Sequence, residues 1–276
     1  MNKHFKIFII SFLLFFAVHF TGANFNKNGT RPITDDEVEI LQRFARYSIL
    51  AFDGSIQDIV NWTCKVCKDI SKDPKNIEVK PVKIPIGDTI NFLAYIIVNK
   101  QTKDIVITFR GSDFTDPTNT IADIGSFNLV KYKFKGYQPS NSNEDILVSE
   151  GFFTTWQLFH SSNLTNELTS LMKKYPSFSV SATGHSLGGG LFQALDIKQN
   201  YPDNTKLCFY GYNIPRGGNE LFANYVNKEL VSLMVPPRPK WVQPKGEVWI
   251  SDPSKKNFKQ GSFVCDGNDN PVNIFF

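Results

Sequence analysis

With 276 residues, 41% of them hydrophobic and 14% aromatic, the chain can bury one substantial core and calls for no second folding unit. Its formal charge of +4 is not gathered into a basic stripe interleaved with aromatics, which excludes the usual pattern of a nucleic-acid binder. Neither a cofactor nor a metal is expected, and a monomer is the expected state.

The N-terminal segment is informative about destination. Met1 to Lys6 is short and basic, Ile7 to Val18 is an apolar run of about a dozen residues, and Thr21-Gly22-Ala23 offers the small residues that a signal peptidase reads. A secretory signal peptide is therefore predicted over 1–23, with a single domain over 24–276 and an extracellular location. The apolar run is shorter than the roughly 20 residues that a bilayer span needs, and no later run is long enough, so no transmembrane segment is expected. Asn28, Asn61 and Asn163 head N-x-[ST] sequons and are candidate glycosylation sites on that route, although the pattern is also common by chance.

Further on, Thr34-Asp35-Asp36-Glu37 has the form of a capping box, and Val38, Leu41, Ala45 and Ile49 recur at helical spacing, which predicts a helix docked by one face. Cys64 and Cys67 form a CxxC pair. In a reducing compartment that spacing would suggest a redox pair or half a zinc site; with a secretory leader and no second CxxC, a small structural disulfide is the preferred reading. Ile90 to Val98 and Asp104 to Phe109 are apolar, β-branched runs joined by a polar connector, as in a hairpin of core strands.

The second of these strands ends in Phe109-Arg110-Gly111-Ser112. Residues 113–127 follow, with Pro117, several threonines and Ile121, Ile124 and Phe127; they suit either a lid lying over a site or a surface loop. A polar loop occupies Tyr137 to Asn143. Phe153, Trp156, Leu164, Leu168 and Leu171 then space out one long helix ending near Tyr175-Pro176. His160 lies near that apolar stripe and reads as a partly buried packing residue. Lys206 to Tyr212 is a further strand, on which Cys208 reads as a buried, unpaired thiol.

Between the long helix and that last strand lies the most telling stretch. Phe178 to Ala182 alternates as a strand does, Leu191, Ala194 and Leu195 share one helical face, and Thr183-Gly184-His185-Ser186-Leu187-Gly188-Gly189 joins the two. A G-x-S-x-G sequence placed between strand and helix has the form of a nucleophile elbow, in which a strained turn thrusts a serine hydroxyl outward and glycines allow the helix to start against the strand. Ser186 is the candidate catalytic nucleophile. Acyl transfer also needs donors aimed at the developing oxyanion. One comes from the residue after the nucleophile, here Leu187, and Ser112 at the end of the earlier strand is the candidate for the second; on these residues alone an ordinary strand-end turn is an equal reading of Ser112. The order of elements predicts an α/β fold with a mostly parallel central sheet.

Thr108-Phe109-Arg110-Gly111-Ser112, Glu150-Gly151-Phe152, the elbow, and Pro215-Arg216-Gly217-Gly218 followed by Phe222 to Val226 together resemble the fungal-type class 3 lipases and the related feruloyl esterases. The segment from Trp62 to Cys67 looks like theirs as well, and the likeness runs from about Asp35 to Val226, with a second patch at Gly246 to Ile250. The resemblance implies an α/β-hydrolase fold, secreted carboxylic-ester hydrolysis through a serine acyl-enzyme, a lid at 113–127 able to make interfacial contact, Ser186 as nucleophile, and Ser112 with Leu187 as the oxyanion hole. By family frequency the expected substrate is a lipid ester such as triacylglycerol, with an aromatic ester as the other choice.

The chain departs from that pattern after residue 226. No aspartate lies where the family carries its triad acid, although Glu220 and Glu229 are acids in the region. The four histidines are His4, His19, His160 and His185, so no histidine follows Ser186. Cys265 is followed by an Asp/Asn-rich turn and then by Val272-Asn273-Ile274-Phe275-Phe276, which reads as translated intron or as a truncated splice form. A C-terminally incomplete α/β-hydrolase fold is therefore expected. A second functional reading goes with it: a catalytically inactive lipase-fold protein, without acid and base, that binds lipid or another partner.

Overall fold

The computed structural model describes residues 16–17, 30–86, 89–111, 128–134, 144–189, 207–212, 214, 217–229, 247–250 and 262–265. In chain order these form β1 (Phe16–Ala17), β2 (Thr30–Pro32), α1 (Asp35–Leu50), α2 (Ile56–Val60), α3 (Cys67–Ile70), β3 (Ile77–Ile86), β4 (Thr89–Asn99) and β5 (Asp104–Phe109). Then come β6 (Leu129–Lys131), β7 (Leu147–Ser149), α4 (Glu150–His160), α5 (Leu164–Lys174), β8 (Ser179–His185), β9 (Leu207–Tyr212), α6 (Glu220–Glu229), β10 (Glu247–Ile250) and β11 (Ser262–Cys265).

The central sheet has the order β3-β4-β5-β8-β9. β3 and β5 each pair antiparallel with β4, while β5–β8 and β8–β9 are parallel, so four strands point one way and β4 alone is reversed. A second sheet, β1-β10-β11-β2, is antiparallel throughout, and in it Phe16 of the predicted leader pairs with Val248. β6 and β7 form a separate two-stranded ribbon.

Period-two alternation of apolar residues divides the core into two layers. Ala94, Ile96 and Val98 of β4 and Ile105, Ile107 and Phe109 of β5 face Phe152, Phe159, Leu164, Leu168 and Leu171 on α4 and α5. Leu93, Tyr95 and Ile97 of β4 and Val106 of β5 point the other way, toward Leu41, Phe44, Ala45 and Tyr47 on α1. Each fully buried side chain of this size contributes about 1.5–3 kcal/mol, which makes these two faces the main source of stability.

α1 begins as its sequence predicts. The Thr34 amide donates to Glu37 Oε2 at 2.6 Å and the Glu37 amide donates to Thr34 Oγ1 at 3.3 Å, closing a capping box worth about 1 kcal/mol. The helix is then held by side chains of β9 and β5. Tyr212 of β9 donates to the Leu41 carbonyl at 2.8 Å and Thr108 of β5 donates to that of Tyr47 at 3.0 Å, while Thr183 of β8, which donates to the Tyr210 carbonyl at 2.7 Å, lies 3.4 Å from that of Phe44. Burial holds the Tyr212 phenol far above its ordinary pKa, so it stays a donor.

The long helix expected before the elbow is two helices. Ser161 Oγ donates to the Leu158 carbonyl at 3.0 Å and Ser162 Oγ to that of Phe159, and the Leu164 amide donates to Ser162 Oγ at 3.2 Å. These local bonds compete with helix continuation and turn the chain at residues 161–163. β3 was not foreseen: Pro81 and Pro85 break its pattern, but among the described residues it is the outermost strand of its sheet, where a missing N–H is tolerated. Cys208 is exposed rather than buried, because on β9 it has no further strand of that sheet beside it among the described residues. The expected lid at 113–127, the polar loop and the helix through Leu191 lie outside the described residues.

Candidate functional site

Ser186 stands at the carboxyl end of β8 with φ of 54°, in the left-handed region that a side chain with a β carbon enters at a cost of about 1–2 kcal/mol. The chain turns there directly into a short 3-10 helix, Ser186–Gly189. Two glycines allow the turn. A β carbon on Gly184 would run into the Gly188 carbonyl oxygen and come within 2.8 Å of the Phe109 oxygen, and one on Gly188 would lie 2.5 Å from the Arg110 carbonyl carbon and the Gly111 nitrogen. The elbow therefore lies flat against the end of β5, backbone to backbone.

Contact is made from the β5 side too. A β carbon on Gly111 would collide with the His185 carbonyl oxygen, so Gly111 lies beside the turn at Ser186. Ser112 itself lies outside the described residues. Leu187 is the second residue of the 3-10 helix, and amides in a first helical turn have no partner inside the helix. The site occupies the carboxyl ends of the parallel strands, where sheets of this type gather ligands. At the opposite end, Ser179 donates to the buried Asp104 at 2.5 Å and Arg43 pairs with Asp104 at 3.3 Å, a polar tie distant from the elbow.

His160 and His185 are the histidines among the described residues. His185 is half-buried, its ring meets Phe52 edge-on at 6.4 Å, and burial holds its pKa down to about 4, so it is neutral near pH 7. His160 ends α4 and is exposed, not partly buried as its place near the stripe suggested; its ring lies 5.3 Å from that of Trp156. Helical spacing put it within a residue of the stripe, and the helix stops there. Glu220 is exposed at the start of α6, and Glu229 ends that helix.

Cys64 and Cys67 are joined in a disulfide, and both are buried. The loop is tied to the end of α1, since the Val66 amide donates to Asp53 Oδ2 at 2.5 Å, and Trp62 Nε1 donates to the Ser71 carbonyl at 3.0 Å. Asn61 and Asn163 are exposed; Asn28 lies outside the described residues. Among the described residues there is no cluster of three His, Cys, Asp or Glu able to hold a metal, and no helix long and apolar enough to cross a membrane.

Two residues escaped the sequence reading. Asn219 follows the Pro-Arg-Gly-Gly stretch and ties the start of α6 to β7: its Oδ1 accepts from the Leu147 and Phe222 amides at 3.2 and 3.1 Å, and its Nδ2 donates to the Asp145 carbonyl at 3.0 Å. An asparagine just ahead of a helix is a capping signal that could have been read. Phe52 is exposed at 44% although it touches the β5 and β8 ends. No local pattern marks it.

The family model for lipase (class 3) matches residues 106–235, from β5 through the elbow and α6. A lipase of Rhizomucor miehei is 30% identical over 246 residues, covering 82% of this chain and 62% of the relative. A secreted alkaline triacylglycerol lipase of Penicillium cyclopium is 31% identical over 143 residues, covering 51% of this chain and 46% of the relative. The chain thus spans about half to three fifths of the length of these curated relatives. Among solved structures, a fungal lipase–inhibitor complex that served as a model for interfacial activation superposes with a TM-score of 0.67 at 26% identity, covering 87% of this chain and 88% of that one. Motifs, fold and these likenesses agree: residues 106–235 match the class 3 lipase model, and the chain has the α/β-hydrolase fold of the solved lipases it resembles.

Proposed function

We propose that the protein is a secreted carboxylic-ester hydrolase of lipase type, acting on lipid esters such as triacylglycerol through Ser186. The observation that carries this reading is the left-handed backbone at Ser186, held by three glycines against the end of β5. Strain of this kind persists only where the surroundings impose it, and it gathers where chemistry is done. In the proposed reaction Ser186 Oγ bonds to the ester carbonyl carbon, and the oxyanion takes hydrogen bonds from the Leu187 amide and from Ser112. The hydroxyl proton passes by way of a general base to the leaving alkoxide, the ester C–O bond breaks to release the alcohol, and water then hydrolyses the acyl-enzyme to the free acid. The relatives named as lipases and as a secreted triacylglycerol lipase support the substrate class and the location.

A second reading is a lipase-fold protein that binds lipid without turning it over; it would hold for a form in which, as in these 276 residues, no histidine follows Ser186. In this fold the base comes last in the order Ser, acid, His, and losing it from a serine hydrolase costs on the order of a millionfold in turnover. The purified protein, incubated with short-chain p-nitrophenyl esters and an organophosphate, separates the two. Burst release of p-nitrophenol with mass added at Ser186, both absent in Ser186→Ala, supports the hydrolase; a folded protein that binds lipid and shows neither supports the binding protein.

A further inference from the structure

The end of the central sheet away from the elbow is bordered by lysines. Ile77 at the start of β3 is paired with Asn99 at the end of β4, and Asp104 at the start of β5 is paired with both Asn99 and Ser179 of β8. Lys75 therefore stands just ahead of β3, Lys100 just past β4 and Lys103 just ahead of β5, and all three are exposed. Backbone bonds draw these segments together: the Lys100 amide donates to the Asn76 carbonyl at 2.8 Å, and the Ser179 amide donates to the Lys103 carbonyl at 3.0 Å. Neighbouring strands lie about 4.8 Å apart, so the three lysines form a row across the strand ends. Lys173 and Lys174, exposed at the end of α5, join it from one face, where Lys174 reaches Glu78 of β3.

The row sits on a firm frame. Asn99 Oδ1 accepts from the Gln101 and Thr102 amides at 3.1 and 3.2 Å, which folds the β4–β5 connector tightly. Lys103 has a φ of 56°, a left-handed conformation that a β carbon disfavours, so a lysine stands where glycine or asparagine would fit with less strain. The acids that adjoin these lysines are already engaged. Asp73 accepts from the Lys75 amide and from Asn76 Nδ2, both at 3.0 Å, and Glu78 accepts from Lys174 Nζ at 2.8 Å and the Tyr175 hydroxyl at 3.0 Å. Asp104 is buried against Arg43 and Ser179. Lys75, Lys100, Lys103 and Lys173 have no ion-pair partner among the described residues. The negative end of the α5 dipole accounts for Lys173 and Lys174, but nothing local calls for the other three.

From this row we infer an anchoring surface for a linear carboxylate-bearing polysaccharide, a polyuronate, on the end of the molecule opposite Ser186. The cluster is all lysine. Lysine offers a compact point charge with freely turning donors, which suits carboxylates spaced along a chain, whereas phosphate groups are better gripped by the two-pronged fork of arginine. A lipid surface docked there would face away from the elbow. A polysaccharide held there leaves the carboxyl ends of the parallel strands open, so the protein is retained in an acidic matrix with its site outward. The attraction is electrostatic and needs no turnover by Ser186.

The test is binding of the full chain to immobilised polygalacturonate. Binding should be measurable at low ionic strength and weaken as salt is added. The triple variant Lys75→Glu, Lys100→Glu, Lys103→Glu should bind about tenfold more weakly, the scale of losing several exposed ion pairs. A control triple variant, Lys65→Glu, Lys83→Glu, Lys133→Glu, makes the same change in net charge at exposed positions outside the row and should alter affinity less than about twofold. Thermal midpoints identify any variant that fails to fold; if the first triple variant does, the milder Lys75→Gln, Lys100→Gln pair takes its place and should still weaken binding several-fold. Equal weakening by the two triple variants means that only net charge counts and overturns the site. An unsubstituted protein that binds vesicles of phosphatidylglycerol but not polygalacturonate, or that binds neither, overturns the proposal.

Discussion

Gly184 and Gly188 face each other across the elbow with no room for a methyl group, because a β carbon on Gly184 would overlap the Gly188 carbonyl oxygen. The atom in the way is backbone and cannot swing aside as a side-chain tip would, and Gly184 cannot retreat because it is paired with Phe109 and Gly211. Gly184→Ala should therefore cost about 3 kcal/mol, at the upper end of overpacking changes. Chemical denaturation should show the lowered midpoint with an unchanged slope.

Ser186 should be more valuable to chemistry than to stability. Its φ of 54° is open to glycine without strain, so Ser186→Gly should raise unfolding free energy by up to about 1 kcal/mol while abolishing organophosphate labelling. A glycine variant less stable than the parent would mean that the hydroxyl contributes packing or hydrogen bonds that outweigh the backbone strain.

His185 predicts an acid-sensitive fold. Its folded pKa of about 4 lies below the ordinary 6.5, so the unfolded chain binds the proton first as pH falls. Stability from this group is complete above about pH 6.5 and is lost progressively down to about pH 4, a change on the order of 3 kcal/mol. Denaturation curves at pH 7, 5.5 and 4 should show that decline. His185→Gln should flatten it, whatever its effect on the absolute stability.

If the elbow is competent and lacks only a base, added imidazole should restore turnover. Hydrolysis of p-nitrophenyl esters by the 276-residue chain should rise in proportion to imidazole beyond the buffer's own rate, and Ser186→Ala should remove the increment. An increment that survives in Ser186→Ala would place the reaction elsewhere on the surface.

Where the sequence was read correctly, the cause of structure was local. The Thr34–Glu37 capping box, the β4–β5 hairpin and the Cys64–Cys67 bond each depend on residues a few positions apart. The elbow belongs with them, since its glycines announce a turn that no other residue allows. What stayed hidden depends on distant partners. Proline hid β3 because an edge position cannot be read before the strand order is known. Tyr212, Thr183 and Thr108 look like ordinary strand residues until α1 lies over them. Phe52 looks like a core residue, and only the fold leaves its ring facing out beside Gly111. The break at Ser161-Ser162-Asn163 is the exception: it was locally encoded and was passed over in favour of the apolar period.

The reversed strand β4 bears on how the protein comes together. β3, β4 and β5 run back and forth with brief connections, so their pairing closes short loops and can form early. β8 reaches β5 only after the chain has travelled from Phe109 to Ser179, through the ribbon and two helices, and such distant pairings form slowly. The hydroxyl on which catalysis would depend is thus assembled late, on a platform already built, and refolding followed at Ser186 should lag behind refolding followed in the β3–β5 meander.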